Sequence, residues 1–313
     1  MERKIFKTQG KNNSTNVPIE VDQNREIKYE NSALIMKILR IPVVFILDLL
    51  PGRFSKYLLE TLSSPCGGSA DISKWPTTYR AIEVMYTYPE RRLAGETSIF
   101  EYFWFYSLKN PQALRNRLLL TTYQLLAKIK NIAEKKNRVY LLSLGCGGTR
   151  AIITALSGLN GKIEIKAKLL DISTRAINFS QELAKEKGVD GCQLEWHRDR
   201  LQKLEKYCNP DFQPDIVEMV GLLDYFDQEH AVEILKKIYK VLAPNGWLIT
   251  CNIRPNLERP FLTKGVGWSM IYRTPQELAE IVVKAGFPAS SLRIIYEPLK
   301  IHGLAIAQKL LNP

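Results

Sequence analysis

The sequence predicts an α/β fold, with a doubly wound, mostly parallel sheet of seven strands in the C-terminal part of the chain and a helical extension in the N-terminal part. From residue 139 onward, short apolar runs alternate with helical stretches, which is typical of β-α units. Before that residue, apolar side chains recur at the spacing of amphipathic helices. We therefore divide the 313 residues into a flexible N-terminal arm at 1–30, a helical region at 31–134 and an α/β domain at 135–313.

Each predicted strand is a short apolar run that is bounded by turn residues or by a helical pattern. A glycine-rich turn follows the first strand, and an Asn-Gly turn at 245–246 precedes the fifth. A last helix is expected at 274–285. The predicted strands are 139–144, 163–170, 192–197, 215–220, 247–252, 292–296 and 303–307.

The stretch 33–50 is the most apolar part of the chain. Lys37, Arg40 and Asp48 interrupt it and Pro42 would kink a helix, so a membrane-spanning helix is not expected. Two interpretations stay open, a helix packed on the main domain and an interfacial helix that contacts a membrane peripherally.

Three further helices are expected after a loop at 65–71, and together they would cover the α/β domain. They are predicted at 78–86, 98–108 and 111–136. The middle one carries six aromatic side chains within 100–106. Core packing explains such a cluster, and so does contact with a substrate, for which Tyr102, Trp104 and Tyr106 are the candidates.

The chain is basic, with 44 Lys and Arg against 32 Asp and Glu and a formal charge of +12. This charge favours an anionic partner, such as nucleic acid, an acidic lipid surface or an anionic small molecule. The basic residues are spread along the chain without a run of five, which makes nucleic acid the less favoured of these partners.

A cytoplasmic location is expected. The polar residues 1–30 lack the apolar segment of a secretory signal. The five cysteines have irregular spacing and form no CxxC pair, so neither a disulfide framework nor a metal site is indicated.

The turn after the first predicted strand reads Leu-Gly-Cys-Gly-Gly-Thr. Its glycines Gly145, Gly147 and Gly148 let the backbone approach a ligand before a helix starts near Thr149. NAD would suit such a turn, but the dinucleotide fingerprint needs a third glycine where this chain has Arg150.

Three further positions at strand ends suit ligand binding. Asp171 follows the second strand, where a carboxylate accepts hydrogen bonds from the two hydroxyls of a ribose. Asp199 follows the third strand, within reach of an adenine amino group. Val220 and Gly221 end the fourth strand, at the edge where open α/β sheets receive their ligands.

These features together resemble the class I S-adenosylmethionine (SAM)-dependent methyltransferases, which have a Rossmann-like sheet whose last strand is antiparallel. The resemblance covers residues 135–313 and rests on the glycine turn, the acids at strand ends, the Pro-Asn-Gly turn, the last helix and two closing strands around His302. It implies SAM as cofactor, S-adenosylhomocysteine as product, and cofactor contacts from Ser143, Gly145, Cys146, Gly147, Gly148, Thr149, Asp171, Ile172, Asp199, Arg200, Val220 and Gly221.

Two positions depart from the family pattern. The family often has an acid where this chain has Ser143, and a third glycine where it has Thr149. The segments GLLDYF and GWSMIYRTPQELAEIVVKAGF also resemble a bacterial subgroup that includes fatty-acid methyl ester synthases.

Methyl transfer from SAM is an in-line displacement that chiefly needs a well-placed acceptor and a site closed to water. An acceptor carboxylate is already nucleophilic, whereas a hydroxyl or an amine gains from a base. The candidates for a catalytic group are His230, Asp224 and Tyr225. His197 and His302 are expected to be structural.

The acceptor pocket is expected beyond the fourth and fifth strands and under the helical region. Arg254 and Arg273 could clamp a carboxylate or phosphate, or could instead pair with Glu258 or Glu277. The full set of predicted substrate-binding residues is Tyr102, Trp104, Tyr106, Arg254, Trp268, Tyr272 and Arg273.

The function predicted from these observations is methyl transfer to an oxygen of a small-molecule or lipid-like acceptor. The strand-four edge has neither the Asn/Asp-Pro-Pro-aromatic motif of DNA N-methyltransferases nor the Pro-Cys nucleophile of cytosine C5 enzymes. Two alternatives stay open. One is an RNA methyltransferase, which the charge of +12 favours, and the other is a SAM-binding interaction protein without catalysis.

Overall fold

The computed structural model describes residues 16–31, 34–49, 74–159, 163–189 and 194–310, together with positions 52–54, 56, 57, 68 and 72. The N-terminal half of the predicted arm and most of the loop predicted at 65–71 lie outside the described residues. The strands are β1 Ile19–Val21, β2 Arg138–Leu144, β3 Glu164–Asp171, β4 Leu194–Arg198, β5 Ile216–Met219, β6 Trp247–Ile253, β7 Arg293–Tyr296 and β8 His302–Gln308. The α-helices are α1 Leu34–Leu49, α2 Tyr79–Tyr86, α3 Tyr88–Leu93, α4 Ile99–Ser107, α5 Lys109–Ala133, α6 Arg150–Ser157, α7 Thr174–Glu186, α8 Gln228–Val241 and α9 Pro275–Lys284.

The strands form one sheet in the order β1-β7-β8-β6-β5-β2-β3-β4. Strands β2 to β6 pair in parallel, and β8 runs antiparallel to both of its neighbours, β6 and β7. The predicted α/β fold with an antiparallel last strand is therefore confirmed. After β2 the chain builds β3 and β4 on one side and then returns to place β5 on the other side, so a crevice opens between the carboxyl ends of β2 and β5.

An eighth strand joins the seven that were predicted. In place of a flexible arm, Ile19–Val21 pairs in parallel with β7 at the edge of the sheet. Further along this segment, Glu30 forms an ion pair with Arg115 of α5 at 2.7 Å. A strand of three residues is too short to show an alternating pattern, so no pattern of residues predicted it.

Apolar side chains fill both faces of the sheet. Helices α8 and α9 pack on one face, and α5, α6 and α7 pack on the other. A third apolar cluster joins the N-terminal helices to the segment that follows β6, including a π-helix at Phe261–Val266. We call this N-terminal layer, α1 to α4 with the first two turns of α5, the cap.

Glu258 fastens the cap to the loop after β6. Its carboxylate accepts hydrogen bonds from the first backbone amides of α5, those of Lys109 at 2.8 Å and Asn110 at 2.9 Å. It also pairs with Arg40 of α1 at 2.6 Å, and its side chain is 2% exposed. A buried carboxylate thus caps α5, where helices leave amides without partners.

Within the cap, helix α1 packs one face, with Arg40 and Val44, against α4 and the π-helix. Among the helices that the structure describes, none is both long and apolar enough to cross a membrane.

Candidate active site

A cleft of about 510 Å³ opens at the carboxyl ends of β2, β3 and β5, where the strand order reverses. The glycine turn after β2, Asp171 at the end of β3, and Val220 and Gly221 after β5 line one side. Helix α2 and part of α5 line the other side. The volume is within the range of pockets that bury a ligand of cofactor size.

The glycine turn brings bare backbone to the wall of this cleft. Gly145 has φ +63°, and a Cβ atom there would meet the Leu222 side chain at 2.2 Å, so only glycine fits. Thr149 also has a positive φ of 56°, which is unusual for a β-branched residue. Its backbone amide bonds Cys146 O at 2.8 Å, and its side-chain oxygen accepts a hydrogen bond from Ser180 at 2.7 Å. The turn is thus held in a strained form, as is common at ligand sites.

Asp171 ties the glycine turn to the start of α7. One carboxylate oxygen accepts from Gly147 N at 2.9 Å, and the other accepts from Ser173 N at 2.8 Å. Ser173 caps α7 with its own hydroxyl, as the sequence allowed. Each carboxylate oxygen of Asp171 has a further lone pair, so the pair of oxygens retains room for two more donors, such as a ribose diol.

Glu218 is a cleft residue that the sequence analysis missed. It lies on β5 beside Ser143, whose hydroxyl donates to its carboxylate at 2.5 Å, and it also accepts from Val220 N at 3.1 Å. Ser143 itself is fully buried, whereas Glu218 lines the cleft. Burial raises the pKa of Glu218 to about 7. The carboxylate of Glu218 on β5 therefore lies next to Ser143 on β2, the position where the family often has an acid.

Asp199 lines the cleft, but its oxygens are already occupied. They accept from Arg200 N at 2.8 Å, Tyr207 Oη at 2.9 Å and Lys203 Nζ at 3.1 Å. The backbone hydrogen bond, followed by the bonds from these side chains, lowers the pKa of Asp199 to about 2. The carboxylate is ionised at neutral pH, and the side chain of Arg200 is not part of the cleft wall.

A second, smaller cavity of about 60 Å³ adjoins the cleft under the cap, and apolar side chains make up most of its wall. Trp104 of α4, Met85 of α2 and Trp268 after the π-helix are among them. The two cavities share four lining residues, namely Ile82, Arg117, Gly221 and Tyr225. The shared residues mark the junction where a ligand in the cleft would meet a ligand in the cavity.

Three polar groups reach the wall of the small cavity from the sheet side. Tyr225 Oη accepts a hydrogen bond from Trp268 Nε1 at 2.7 Å. Asp224 accepts from Ile253 N at 2.8 Å, and burial raises its pKa to about 6. His302 is buried with no partner for Nδ1 among the described residues, and burial lowers its pKa well below the usual value, so its ring is neutral.

Comparison with known proteins agrees with this arrangement. The protein family described as "Putative methyltransferase" matches residues 111–309. The chain belongs to this methyltransferase family. A comparison with curated proteins gave no significant match.

Solved structures support the fold of the methyltransferase. A Bordetella parapertussis protein described as a "possible exported protein" has a TM-score of 0.61 at 16% identity, covering 78% of this chain and 87% of its own. The S-adenosylmethionine-dependent methyltransferase SibL has a TM-score of 0.50 at 16% identity, covering 70% of this chain and 61% of its own. At these identities the likeness shows the fold alone.

Arg117 of the methyltransferase is the second residue that the sequence analysis missed. It is 4% exposed and lies at the junction of the cleft and the cavity. Its guanidinium donates to Tyr86 Oη at 3.1 Å and contacts Cys251 Sγ at 3.8 Å. The signal was present, because Arg117 lies three residues from both Leu114 and Leu120 in α5, at a core-facing position where an amphipathic helix carries apolar residues.

Several predicted substrate-binding residues lie away from the cavity. Tyr102 and Tyr106 stack on each other on another face of α4 than Trp104, beneath Arg92. The reason is helix geometry, since residues 102 and 106 are one turn apart and residue 104 is half a turn from both. Trp104 alone of the three aromatic candidates lines the cavity.

The arginines predicted to clamp an anion hold other structure. Arg273 is buried and donates to Leu223 O at 2.9 Å, to Asn252 Oδ1 at 2.6 Å and to Phe226 O. Arg254 packs over Tyr296, and neither arginine forms the ion pair with Glu258 or Glu277 that was the alternative. Tyr272 packs against Arg259 and does not line the cavity.

The histidine predicted as a catalytic candidate lies on the surface. His230 is in the first turn of α8 and bonds its cap, Asp227, at 2.8 Å. It lines neither the cleft nor the cavity. His197 is on β4 as expected, beside Tyr207. Of the three catalytic candidates, the structure brings Asp224 and Tyr225 to the cavity.

Proposed function

We propose that this methyltransferase uses SAM to methylate an oxygen atom of a small, largely apolar acceptor. The observation that carries the proposal is the meeting of two unlike cavities at Gly221. One is an open cleft with exposed backbone and acidic groups, and the other is a small cavity under the cap with an apolar wall. Such a pair suits a polar cofactor and an apolar acceptor that must meet at one point.

The cleft offers groups that match each part of SAM. Asp171 would accept hydrogen bonds from the ribose hydroxyls, and the Gly145 to Thr149 turn would follow the methionine part. Where the family often has an acid, this chain has Ser143. Glu218, on the neighbouring strand, would instead pair with the ammonium group of SAM. Ile172, which lines the cleft, would contact the adenine ring, since the oxygens of Asp199 already accept from Arg200, Tyr207 and Lys203. SAM supplies an electrophilic methyl group when bound.

The chain's own contribution is to orient the acceptor and exclude water. Trp104, Trp268 and Phe261 would enclose its apolar part, while the cap keeps the cavity covered. Burial lowers the pKa of His302 and so makes its ring a weak base, whereas the pKa of Asp224, raised by burial to about 6, leaves Asp224 as the candidate base for a hydroxyl acceptor. An acceptor carboxylate is nucleophilic without deprotonation and needs neither group as a base.

Calorimetric titration with S-adenosylhomocysteine tests the cofactor assignment. We expect saturable binding to the wild type and a loss of about 10- to 100-fold in affinity for Asp171→Ala, because the lost hydrogen bonds are to a charged group. Asp211→Asn removes an exposed acid outside the cleft and is the matched control. Unaltered binding by Asp171→Ala, with the fold verified by circular dichroism, would contradict the assignment. Binding without methyl transfer to any acceptor would favour a non-catalytic SAM-binding protein.

We also propose that α1 contacts a lipid surface. Seven of the fifteen large apolar side chains exposed in the described part of the chain lie between residues 38 and 57. Ile38, Ile41, Phe45 and Leu49 share one exposed face of α1, opposite the buried Arg40. Exposed Arg53 and Lys56 follow, and the net charge of +12 suits an anionic surface. Co-sedimentation with phosphatidylserine vesicles should be lost in Phe45→Ser/Leu49→Ser, and sedimentation equal to wild type would contradict this proposal.

A further inference from the structure

We propose that Arg117 binds the carboxylate of the methyl acceptor, which makes the acceptor class small apolar carboxylic acids and the product a methyl ester. The inference rests on the proposed function and names its substrate class. Arg117 is buried at the junction of the two cavities and lacks direct contact with a carboxylate of the described residues. Among the described residues no carboxylate forms an ion pair with Arg117, and its Nε has no hydrogen-bond partner.

Arg115, two residues earlier on α5, is a buried arginine whose hydrogen-bonding groups have protein partners, and it serves as a comparison for Arg117. It is also 4% exposed, but both carboxylate oxygens of Glu30 accept from it at 2.7 Å. The carbonyl oxygen of Met85 accepts from Nη1, and that of Phe105 accepts from Nη2.

In the described part of the chain, Arg117 donates hydrogen bonds only to a phenol and a thiol. The buried carboxyl groups of Asp224 and Glu218 act on its charge through space, but neither forms an ion pair or a hydrogen bond with it. A buried guanidinium that no described carboxylate contacts directly, at the junction of two cavities, points to an anionic ligand.

Arg117 lies where an acceptor in the small cavity would meet a cofactor in the cleft. The guanidinium lies over Gly221, where a Cβ atom would be 3.6 Å from both terminal nitrogens. Gly221 has φ +90°, follows β5 and lines both cavities. An anion bound here would lie where the apolar cavity opens into the cleft, within reach of an acceptor that fills the cavity.

Tyr225 supplies a second donor at the same junction. Its hydroxyl oxygen accepts from Trp268, and no described residue accepts the hydroxyl's own hydrogen. Burial raises the pKa of Tyr225 to about 12, so this hydrogen is present at neutral pH. A carboxylate would thus meet a planar guanidinium and a phenol, which together fix its orientation.

The reaction balances without a base. One carboxylate oxygen forms a bond to the methyl carbon of SAM while the carbon–sulfur bond breaks, and the electron pair of that bond goes to sulfur. The negative charge of the acceptor and the positive charge of the sulfonium disappear together, and no proton moves. The ester is neutral, so its hydrogen bonds to Arg117 are weaker than those of the substrate, and this assists its release.

The size of the cavity guides the choice of probe. About 60 Å³ corresponds to roughly five water-sized positions at about 10–15 Å³ each. Hexanoate, with five carbons beyond its carboxyl carbon, is therefore the test acid, and 1-hexanol is its neutral counterpart. Trp104 and Trp268 line the cavity, so their fluorescence reports occupancy with or without S-adenosylhomocysteine.

We would titrate wild type, Arg117→Met, Arg117→Lys and the control Lys130→Met, which removes an exposed charge from the same helix. We expect wild type and the control to bind hexanoate at least about tenfold more tightly than hexanol, and Arg117→Met to lose this preference. Arg117→Lys should retain part of it, because a cation remains but the two-pronged geometry is lost. Transfer of labelled methyl from SAM to hexanoate should follow the same order through KM.

Two results would overturn the inference. One is equal binding of acid and alcohol by the wild type, a comparison that needs no variant to fold. The other is a loss of S-adenosylhomocysteine affinity in Arg117→Met as large as the loss for hexanoate, which would assign the guanidinium to the carboxylate of the cofactor. If the wild type failed to bind S-adenosylhomocysteine, the proposed function would be wrong. The titration with hexanoate alone, in the absence of S-adenosylhomocysteine, would still decide whether Arg117 binds an acid.

Discussion

The cleft and the small cavity are built in opposite ways, although they meet at Gly221. The cleft is formed mainly by turns that directly follow β2, β3 and β5, so its polar residues lie at equivalent places in successive β-α units. The cavity takes its wall from α2, α4, α5, the π-helix and the start of β8, which are far apart in the chain.

This difference shows that the cleft depends on local sequence at the strand ends, whereas the small cavity depends on the packing of distant segments. A strand end followed by a helix gives a cofactor site by geometry that is common to open α/β sheets. The acceptor cavity depends on how the cap is fastened to the sheet. Changes in the cap should therefore alter acceptor use while cofactor binding survives, and changes at the strand ends should do the reverse.

The largest expected effect is a loss of stability when the contacts between Glu258 and the cap are removed. Glu258→Ala leaves Arg40 and the first amides of α5 without their buried carboxylate, which should cost about 3–5 kcal/mol of stability. Denaturant unfolding would measure this cost. Glu277→Ala is the control, since Glu277 also caps a helix but is exposed, and its loss should cost only about 1 kcal/mol. Affinity for S-adenosylhomocysteine that fell together with stability would show that cap and cleft are not separable.

A smaller effect is expected on acceptor binding through α4. Trp104→Ala should raise KM for the acceptor about tenfold, because the wall of the cavity loses a buried aromatic side chain. Tyr106→Ala, two residues away on another face, should leave KM within about twofold. Steady-state kinetics with hexanoate and calorimetry with S-adenosylhomocysteine would measure both constants. Equal KM values for the two variants would refute the assignment of Trp104 to the cavity.

The smallest expected effect concerns pH dependence in the cleft. The pKa of Glu218 is raised to about 7 by burial, so its carboxyl is mostly protonated at pH 6 and half ionised near pH 7. If the carboxylate pairs with an ammonium group, affinity for S-adenosylhomocysteine should rise about fivefold from pH 6 to pH 7. Glu218→Gln should remove that rise.

The raised pKa of Glu218 also determines how the stability of the protein changes with pH. The folded protein holds this proton more tightly than the unfolded chain does, so stability from Glu218 is present below pH 4.5 and is lost as the pH rises to about 7. Thermal unfolding should therefore show a smaller decrease in Tm between pH 5 and pH 7 for Glu218→Gln than for wild type. Parallel Tm profiles would contradict the raised pKa.

The sequence by itself determined the α/β fold, the seven longer strands and the place of the cleft that we propose for the cofactor. These rest on periodic patterns and on turn residues such as Gly145 and Asp171, whose function follows from their position next to a strand end. It did not reveal β1, because three residues carry no periodicity, or Glu218, because the sequence does not show which strand stands beside Ser143.

Only the tertiary structure decided which residues form the small cavity that we propose for the acceptor. Tyr106, Arg254, Tyr272 and Arg273 had suitable chemistry, but helix phase and local hydrogen bonds direct them elsewhere. Arg117 reaches the junction because α5 crosses from the cap to the sheet and presents one core-facing turn to both cavities. The physical reason is that strand ends impose a site locally, whereas a cavity between a cap and a sheet exists only once distant segments have packed.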